Sequence, residues 1–434
     1  MNGYKFSNTS LPELNYHKNF SSEETDLPIS VTNNIQMEIE ETLSFDGPPD
    51  SMITVAGRVY LYFAGNGYLG LQAEPAVIAS TCEAVLRYGI GTATTRTAFT
   101  SPPVFQVERL ITEMVGTDRS FYTASGYMAN QILIEAIEGT FDRIFIDEAS
   151  HYSLFDAAKR IRNPRCRPIT FLHRNPQNLC AKLESNLQLH ERPLVITDGV
   201  FSLLGTIAPV REYIDLLANY DDASLLIDDA HGFGVLGSKG LGTLEYFDIS
   251  PTMANRTTQD SIDDFHFCTN NTDTAEITTN LYQAFSLCKA IGGSGGIITG
   301  SETFVQRLKD RTTVYHGASA PANPIAAATA TALMIAAKNE LRMKLQVNAE
   351  LLKRKLQEQG IEVDNNPLPM VILTLGSAAN MRRIQKELSN RGILVSYLPR
   401  HTGLGSQGAL RIAVFATHTT DMINELTETL GKII

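Results

Sequence analysis

The chain reads as an α/β protein with a large domain on a mostly parallel central sheet and a small C-terminal α+β domain. Three observations predict this. From Ser120 onward, short apolar runs alternate with helical runs, the pattern of a parallel sheet covered on both faces. The run Ser224 to Asp228 is nearly all apolar, as a strand buried on both sides must be. From Met370 to the end the order is strand, helix, strand, strand, helix, enough for a small unit of its own. At 434 residues the chain has room for this arrangement.

Taken in order, residues 1–59 form an N-terminal arm. Met1 to about Pro49 is polar, and the two readings are an arm packed on a partner subunit and a disordered tail. Met37 to Leu43 has the composition of a short helix that Gly47-Pro48-Pro49 stops. The large domain spans 60–320. Arg58 to Phe63 is its first strand, and Pro75, suited to a first turn, starts a helix to about Tyr88. A loop of small hydroxyl residues, Gly89 to Arg96, leads to a helix from about Val104 to Val115. Strands follow at Ser120 to Tyr122, Arg143 to Asp147, Pro168 to Leu172, Pro193 to Asp198 and Ser224 to Asp228. Helices run from Met128 to Glu138, from His151, and from Pro209 to Tyr220. The stretch 248–279 is rich in Thr, Asp and Asn and reads as a surface insertion, with a short strand at Phe265 to Cys268. An apolar run then leads to Lys289, and Gly295 to Gly300 is a return strand. The small domain, 321–434, begins with one or two helices between Ala322 and Gln359. Strand Met370 to Leu375, helix Ala378 to Arg391, strands Ile393 to Tyr397 and Leu410 to Phe415, and helix Thr420 to Ile433 complete it.

Composition excludes several functions. A net charge of −11 leaves no basic excess for nucleic acid or an anionic membrane. Met1 to Phe20 lacks the apolar core of a signal peptide, and Ile325 to Ala337 is too short to span a bilayer. The five cysteines show no metal-ligand spacing and read as free thiols in a reducing cytoplasm. No metal site is expected.

The chemistry centres on Tyr282 to Gly296, where an apolar strand-like run ends in Lys289 and a glycine-dense turn follows. A lysine there needs chemistry or a fixed anion. In a P-loop the lysine follows the glycines, which is the reverse of this order. An amine beside a glycine-rich cradle suits pyridoxal 5'-phosphate (PLP), with the glycines letting backbone approach the ligand. The other reading is a lysine capping a sheet edge. A PLP ring nitrogen requires a carboxylate, and Asp228 ends a buried strand where open α/β sheets place ligands. The alternative for Asp228 is a helix N-cap. His231 follows closely and is placed to meet the ring hydroxyl. Asp228-Asp229-Ala230-His231 also looks like a helicase box, but no Gly-Lys-Ser/Thr loop precedes it. Ser125-Gly126-Tyr127, between strand and helix, supplies N–H groups for a phosphate, and Ser286 adds a hydroxyl. His151 is a candidate to stack on the ring or, more blandly, to cap its helix.

The order of Asn66-Gly67-Tyr68-Leu69-Gly70-Leu71, Ser125 to Asn130, His151-Tyr152-Ser153, Asp198 to Ser202, Asp228 to Gly232 and Lys289 to Gly292 resembles the α-oxoamine synthases. These are PLP enzymes of fold type I, including 8-amino-7-oxononanoate synthase, glycine C-acetyltransferase, 5-aminolevulinate synthase and serine palmitoyltransferase. The resemblance runs from about Tyr60 to the C-terminus. It implies the aspartate-aminotransferase-like fold and Lys289 as Schiff-base lysine and general base. It also implies Asp228 at the ring nitrogen, His231 and Ser202 at the phenolate oxygen, and His151 on the ring. Ser125, Gly126, Tyr127 and Ser286 would hold the phosphate, while Asn66 and Arg411 would hold the substrate carboxylate. Departures from the family pattern are Ser202-Leu203-Leu204-Gly205, which lacks a carboxylate, Ser286-Leu287-Cys288-Lys289, and Ser101 to Glu108, which lacks a histidine.

The implied reaction joins an α-amino acid to an acyl thioester (acyl-CoA or acyl-carrier), with decarboxylation to an aminoketone, in a cytoplasmic homodimer. The alternatives are an aminotransferase or other fold-type-I enzyme, and a PLP-binding protein without turnover.

Overall fold

The computed structural model describes residues 44–251, 267–269, 278–399 and 404–434. The expected helix Met37 to Leu43, most of the arm and most of the 248–279 insertion lie outside them.

The centre is a seven-stranded sheet. Its order is Arg119–Thr123, Gly296–Gly300, Asn280–Ser286, Ser224–Asp228, Pro193–Asp198, Arg143–Asp147 and Ile169–Phe171. Gly296–Gly300 runs antiparallel to both neighbours, and all other pairs are parallel. Alternate residues along each strand face opposite sides, so each apolar run feeds two cores. Ile144, Ile146, Leu194, Ile196 and Leu226 pack on one side with the helix Gly126–Ala136. Phe145, Val195, Leu225 and Ile227 pack on the other with Leu179 and Tyr213. Leu225, Leu226 and Ile227 are completely buried. Each contributes about 1.5–3 kcal/mol by leaving water.

Most expected elements are present within a residue or two. Pro75–Tyr88 and Arg143–Asp147 match at both ends. Three differences are informative. Phe45–Asp46 and Met52–Val55 are strands that pair outward from Arg58–Tyr62, so this part of the expected arm belongs to a sheet. The single strand expected at Ile393 to Tyr397 is two short pieces. Ile393–Leu394 pairs with Arg58–Tyr62, whereas Ser396–Leu398 joins the antiparallel sheet with Ala409–Ala413 and Met370–Leu373. The insertion's short strand is Phe267–Thr269, antiparallel to Ile249–Pro251.

The helix Asn323–Ala336 packs against Pro75–Tyr88 and Pro102–Val115. Helices Glu340–Glu358, Ala378–Asn390 and Thr420–Gly431 enclose a separate core with the three-stranded sheet. No helix among the described residues is long and apolar enough to cross a membrane.

Candidate active site

The C-terminal ends of the parallel strands open on a cavity of about 250 Å³. Asp228, the last residue of its strand, stands in register with Asp198 on one neighbour and Ala284 on the other. Both aspartates line the cavity. Asn130 Nδ2 donates to Asp228 Oδ2 at 2.6 Å, and the Ala230 N–H donates to Oδ1 at 3.0 Å. Burial pushes the Asp228 carboxyl up, against the pull of these hydrogen bonds and of the nearby His151 and Lys289 charges. Asp198 is raised further, by desolvation and then by the charge of Asp228. Its Oδ1 accepts the backbone N–H of His151 at 3.1 Å.

Lys289 lies on the cavity wall, but not at a strand end. The strand stops at Ser286, and Lys289 sits in the turn that follows. Leu287 is fully buried and its N–H donates to Gly295 O at 2.9 Å, which closes the loop. Two of the glycines are needed by this loop itself. At Gly292, with φ +65°, an added Cβ would lie 2.5 Å from the backbone nitrogen of Gln72. At Gly295, with φ +94°, it would lie 2.4 Å from Thr123 O. These glycines allow backbone to pack on backbone behind the lysine.

In the same cavity, Ser125 caps the helix Gly126–Ala136, its hydroxyl accepting the Tyr127 N–H at 3.2 Å. Gly126 is required by close approach, since a Cβ there would meet Ser286 Oγ at 2.7 Å. Ser286 Oγ lies 2.9 Å from Cys288 Sγ. His151 is the N-cap of Tyr152–Lys159, with Nδ1 accepting the Ser153 N–H at 3.2 Å. Its ring meets that of Tyr127 edge-on, 6.1 Å between centroids.

His231 also lines the cavity, and its Nδ1 lies 2.9 Å from the Tyr68 hydroxyl. Burial first, then the positive charges of Lys289, Arg411 and His151, hold its imidazole well below the usual range, and so neutral. Ser202 completes the wall with Leu203 and Leu204.

Lys289, Asp228, His231, His151, Ser125, Gly126, Tyr127, Ser202 and Ser286 therefore share one cavity. Asn66 and Arg411 stand behind it. Arg411 Nη2 donates to Asn66 Oδ1 at 2.6 Å and to the Tyr68 hydroxyl at 3.2 Å, and Nε donates to Ser202 O at 3.0 Å. Asn130, Tyr68 and Asp198 join the site without being among the residues expected from sequence. Asn130 lies one helical turn past Gly126, and Asp198 ends the strand beside Asp228, so both had a positional signal. Tyr68 had none beyond its motif.

This donor set fits PLP. A buried carboxylate held by neutral donors suits a protonated ring nitrogen, and hydroxyls at a helix N-terminus suit a phosphate. An amine lies on the same cavity wall.

The aminotransferase class I and II family matches residues 59–430. The 8-amino-7-oxononanoate synthase of Alkaliphilus oremlandii is 30% identical over 390 residues, covering 89% of this chain and 91% of that one. That of Nitrosospira multiformis is 32% identical over 396 residues, covering 90% and 91%. The chain belongs to the aminotransferase class I and II family, in its α-oxoamine synthase branch. Among solved structures, serine palmitoyltransferase from S. paucimobilis superposes with a TM-score of 0.77 at 21% identity, covering 90% of this chain and 92% of that one. The 8-amino-7-oxononanoate synthase of Francisella tularensis gives 0.66 at 22% identity, covering 86% and 97%. These two likenesses concern the fold, which is PLP-dependent fold type I.

Proposed function

We propose that the protein is a PLP-dependent acyltransferase that condenses an α-amino acid with an acyl thioester and releases CO2, a thiol and an aminoketone. The observation that carries this is the convergence of Lys289, the buried Asp228 carboxylate and the Ser125-capped helix on one cavity, in a chain aligned along 89% of its length with an 8-amino-7-oxononanoate synthase.

When bound, PLP supplies an electron sink for the charge left on the substrate α-carbon. Asp228 holds the proton at the ring nitrogen, with Asn130 keeping its carboxylate oriented. Lys289 would anchor the cofactor, and its Nζ would take the substrate α-proton. His231 and Ser202 would serve the ring hydroxyl, and His151 would cover the ring. Ser125, Gly126, Tyr127 and Ser286 hold the phosphate, where the helix N-terminus favours negative charge. Asn66 and Arg411 hold the substrate carboxylate. To do so Arg411 exchanges its longest contact, 3.3 Å to Ala64 O, for a charge-assisted one.

We also place residues 60–320 as the PLP-binding domain and 321–434 as the small domain of a homodimer. Exposed Leu86, Ile90, Phe99 and Phe105 support a partner-covered face. The free thiols of Cys82, Cys166, Cys180 and Cys288 support a reducing, cytoplasmic setting.

The test is incubation of PLP-loaded protein with panels of amino acids and acyl-CoA or acyl-carrier thioesters. Thiol and CO2 should appear in step, and only when both substrates are present. Conversion of an amino acid to its keto acid, with no thiol released from any donor, would overturn the reading.

A further inference from the structure

We propose that Tyr68 is a positioning residue that fixes the tautomer of His231, so that His231 offers an Nε2–H donor to the cavity. The protons around one hydroxyl decide this. Tyr68 is completely buried, and burial raises its phenol, so the hydroxyl keeps its single proton. Arg411 has donors only, and its Nη2 lies 3.2 Å from the Tyr68 oxygen. That oxygen therefore accepts from Arg411, and its own proton must go to one of two acceptors. Asn66 Oδ1 is 3.5 Å away and already takes Arg411 Nη2 at 2.6 Å. His231 Nδ1 is 2.9 Å away.

The proton goes to the nearer acceptor, so Nδ1 carries none of its own. A neutral imidazole then has its proton on Nε2. The nitrogen left to face the cavity is a donor, which is what a negatively charged ring oxygen requires. With the other tautomer, Nδ1–H would compete with Arg411 for the Tyr68 oxygen, and Nε2 would turn a lone pair toward that anion. Tyr68 thus couples the arginine behind the cavity to the hydrogen-bonding character of its wall. The relevance to the cofactor rests on the PLP reading of the site, whereas the tautomer does not.

The decisive measurement uses the full chain without PLP. Long-range proton–nitrogen NMR spectra of histidine-labelled protein distinguish a protonated from an unprotonated ring nitrogen. Of the nine histidines, His231 is the one whose signals vanish in His231→Gln. We expect it to show Nε2–H with a bare Nδ1, and in Tyr68→Phe to move toward the averaged shifts of two exchanging tautomers. A wild-type Nδ1–H form would overturn the proposal without needing any variant to fold, and so would an unchanged tautomer in Tyr68→Phe. PLP titrations add a second readout. Tyr68→Phe should raise the PLP Kd about tenfold, roughly one hydrogen bond's worth. It should add nothing further on the His231→Gln background, and additive losses would show that Tyr68 acts elsewhere. A protein with the stated tautomer that takes up no PLP would remove the functional reading and leave the positioning role standing.

Discussion

Arg411 has five N–H groups, and the protein already supplies acceptors around the whole guanidinium. They are Ser202 O, Ala64 O, Gly65 O, Asn66 Oδ1 and the Tyr68 hydroxyl. The residue is only 3% exposed, so a substrate carboxylate must displace one of these acceptors to reach it. Arg411→Ala should retain PLP yet weaken amino-acid binding by about 10- to 100-fold, the worth of a charged hydrogen bond at about 1.5–3 kcal/mol. Calorimetry on PLP-loaded protein checks this, and an unchanged affinity would assign the carboxylate to another group. His418 makes a different prediction. It stacks on Phe63 at 4.1 Å, and its Nδ1 accepts the Phe415 N–H at 2.8 Å. Burial pushes its imidazole down to about 4. Between about pH 6.5 and 4 the unfolded chain therefore binds a proton that the folded one refuses, and stability falls as pH falls. At pH 5 the loss is about 2 kcal/mol. The Tm should drop from pH 7 to pH 5, and the drop should shrink in His418→Asn.

At the scale of elements, the segment from Val200 to Ile207 is a small hairpin on the cavity wall. Three side chains from elsewhere grip it. Arg411 donates to Ser202 O, Asn366 Nδ2 donates to Gly205 O at 2.8 Å, and His173 Nε2 lies 3.1 Å from Thr206 Oγ1. Asn366 also accepts from Lys353, whose burial holds its amine down to about 8. Asn366→Ala should therefore cost about 1–3 kcal/mol of stability, read as a lower Tm, while leaving the Lys289 loop intact. If Tm is unmoved, the grip is ornamental. The hairpin also shows what could be read in advance. The strands were legible because two-residue alternation and apolar runs are local signals, and their ends led to Asp228, His231 and Lys289. Helices Pro176–Asn186 and Glu302–Arg311 are hard to see in the sequence, although Asn175 and Ser301 cap them in the ordinary way, because few apolar residues mark a buried face: Leu179 and Leu183 in one, Phe304, Val305 and Leu308 in the other. The links Arg411–Tyr68 and Asn366–Gly205 join positions 343 and 161 apart. No local pattern encodes such pairs, since only the packed fold brings them together.

For the whole molecule, the exposed apolar side chains are the feature that one chain alone does not explain. Leu86, Ile90 and Phe99 are 89%, 82% and 73% exposed. Leu86 lies in the helix Pro75–Tyr88, which packs on Asn323–Ala336, Ile90 just beyond it, and Phe99 just before the helix Pro102–Val115. We expect sedimentation of the PLP-loaded protein to give twice the 47.6 kDa chain mass. Leu86→Glu combined with Phe99→Glu should shift it toward a single chain, since two charges would then have to be desolvated at the contact. A wild-type protein that sediments as one chain while fully loaded with PLP would rule the dimer out.

The antiparallel strand Gly296–Gly300 has a further consequence, for the order in which a ribosome can deliver the fold. Arg119–Thr123 reaches the sheet only through that strand, and the Tyr122 hydroxyl finds its acceptor, Ser294 O, 172 positions later. At about 5–20 residues per second, the early strand waits roughly ten to thirty seconds with its edge unpaired and its tyrosine unburied. Nascent chains halted before residue 296 should therefore be cut readily within 119–123 by a probing protease. Chains halted some forty residues beyond residue 300, to clear the exit tunnel, should resist.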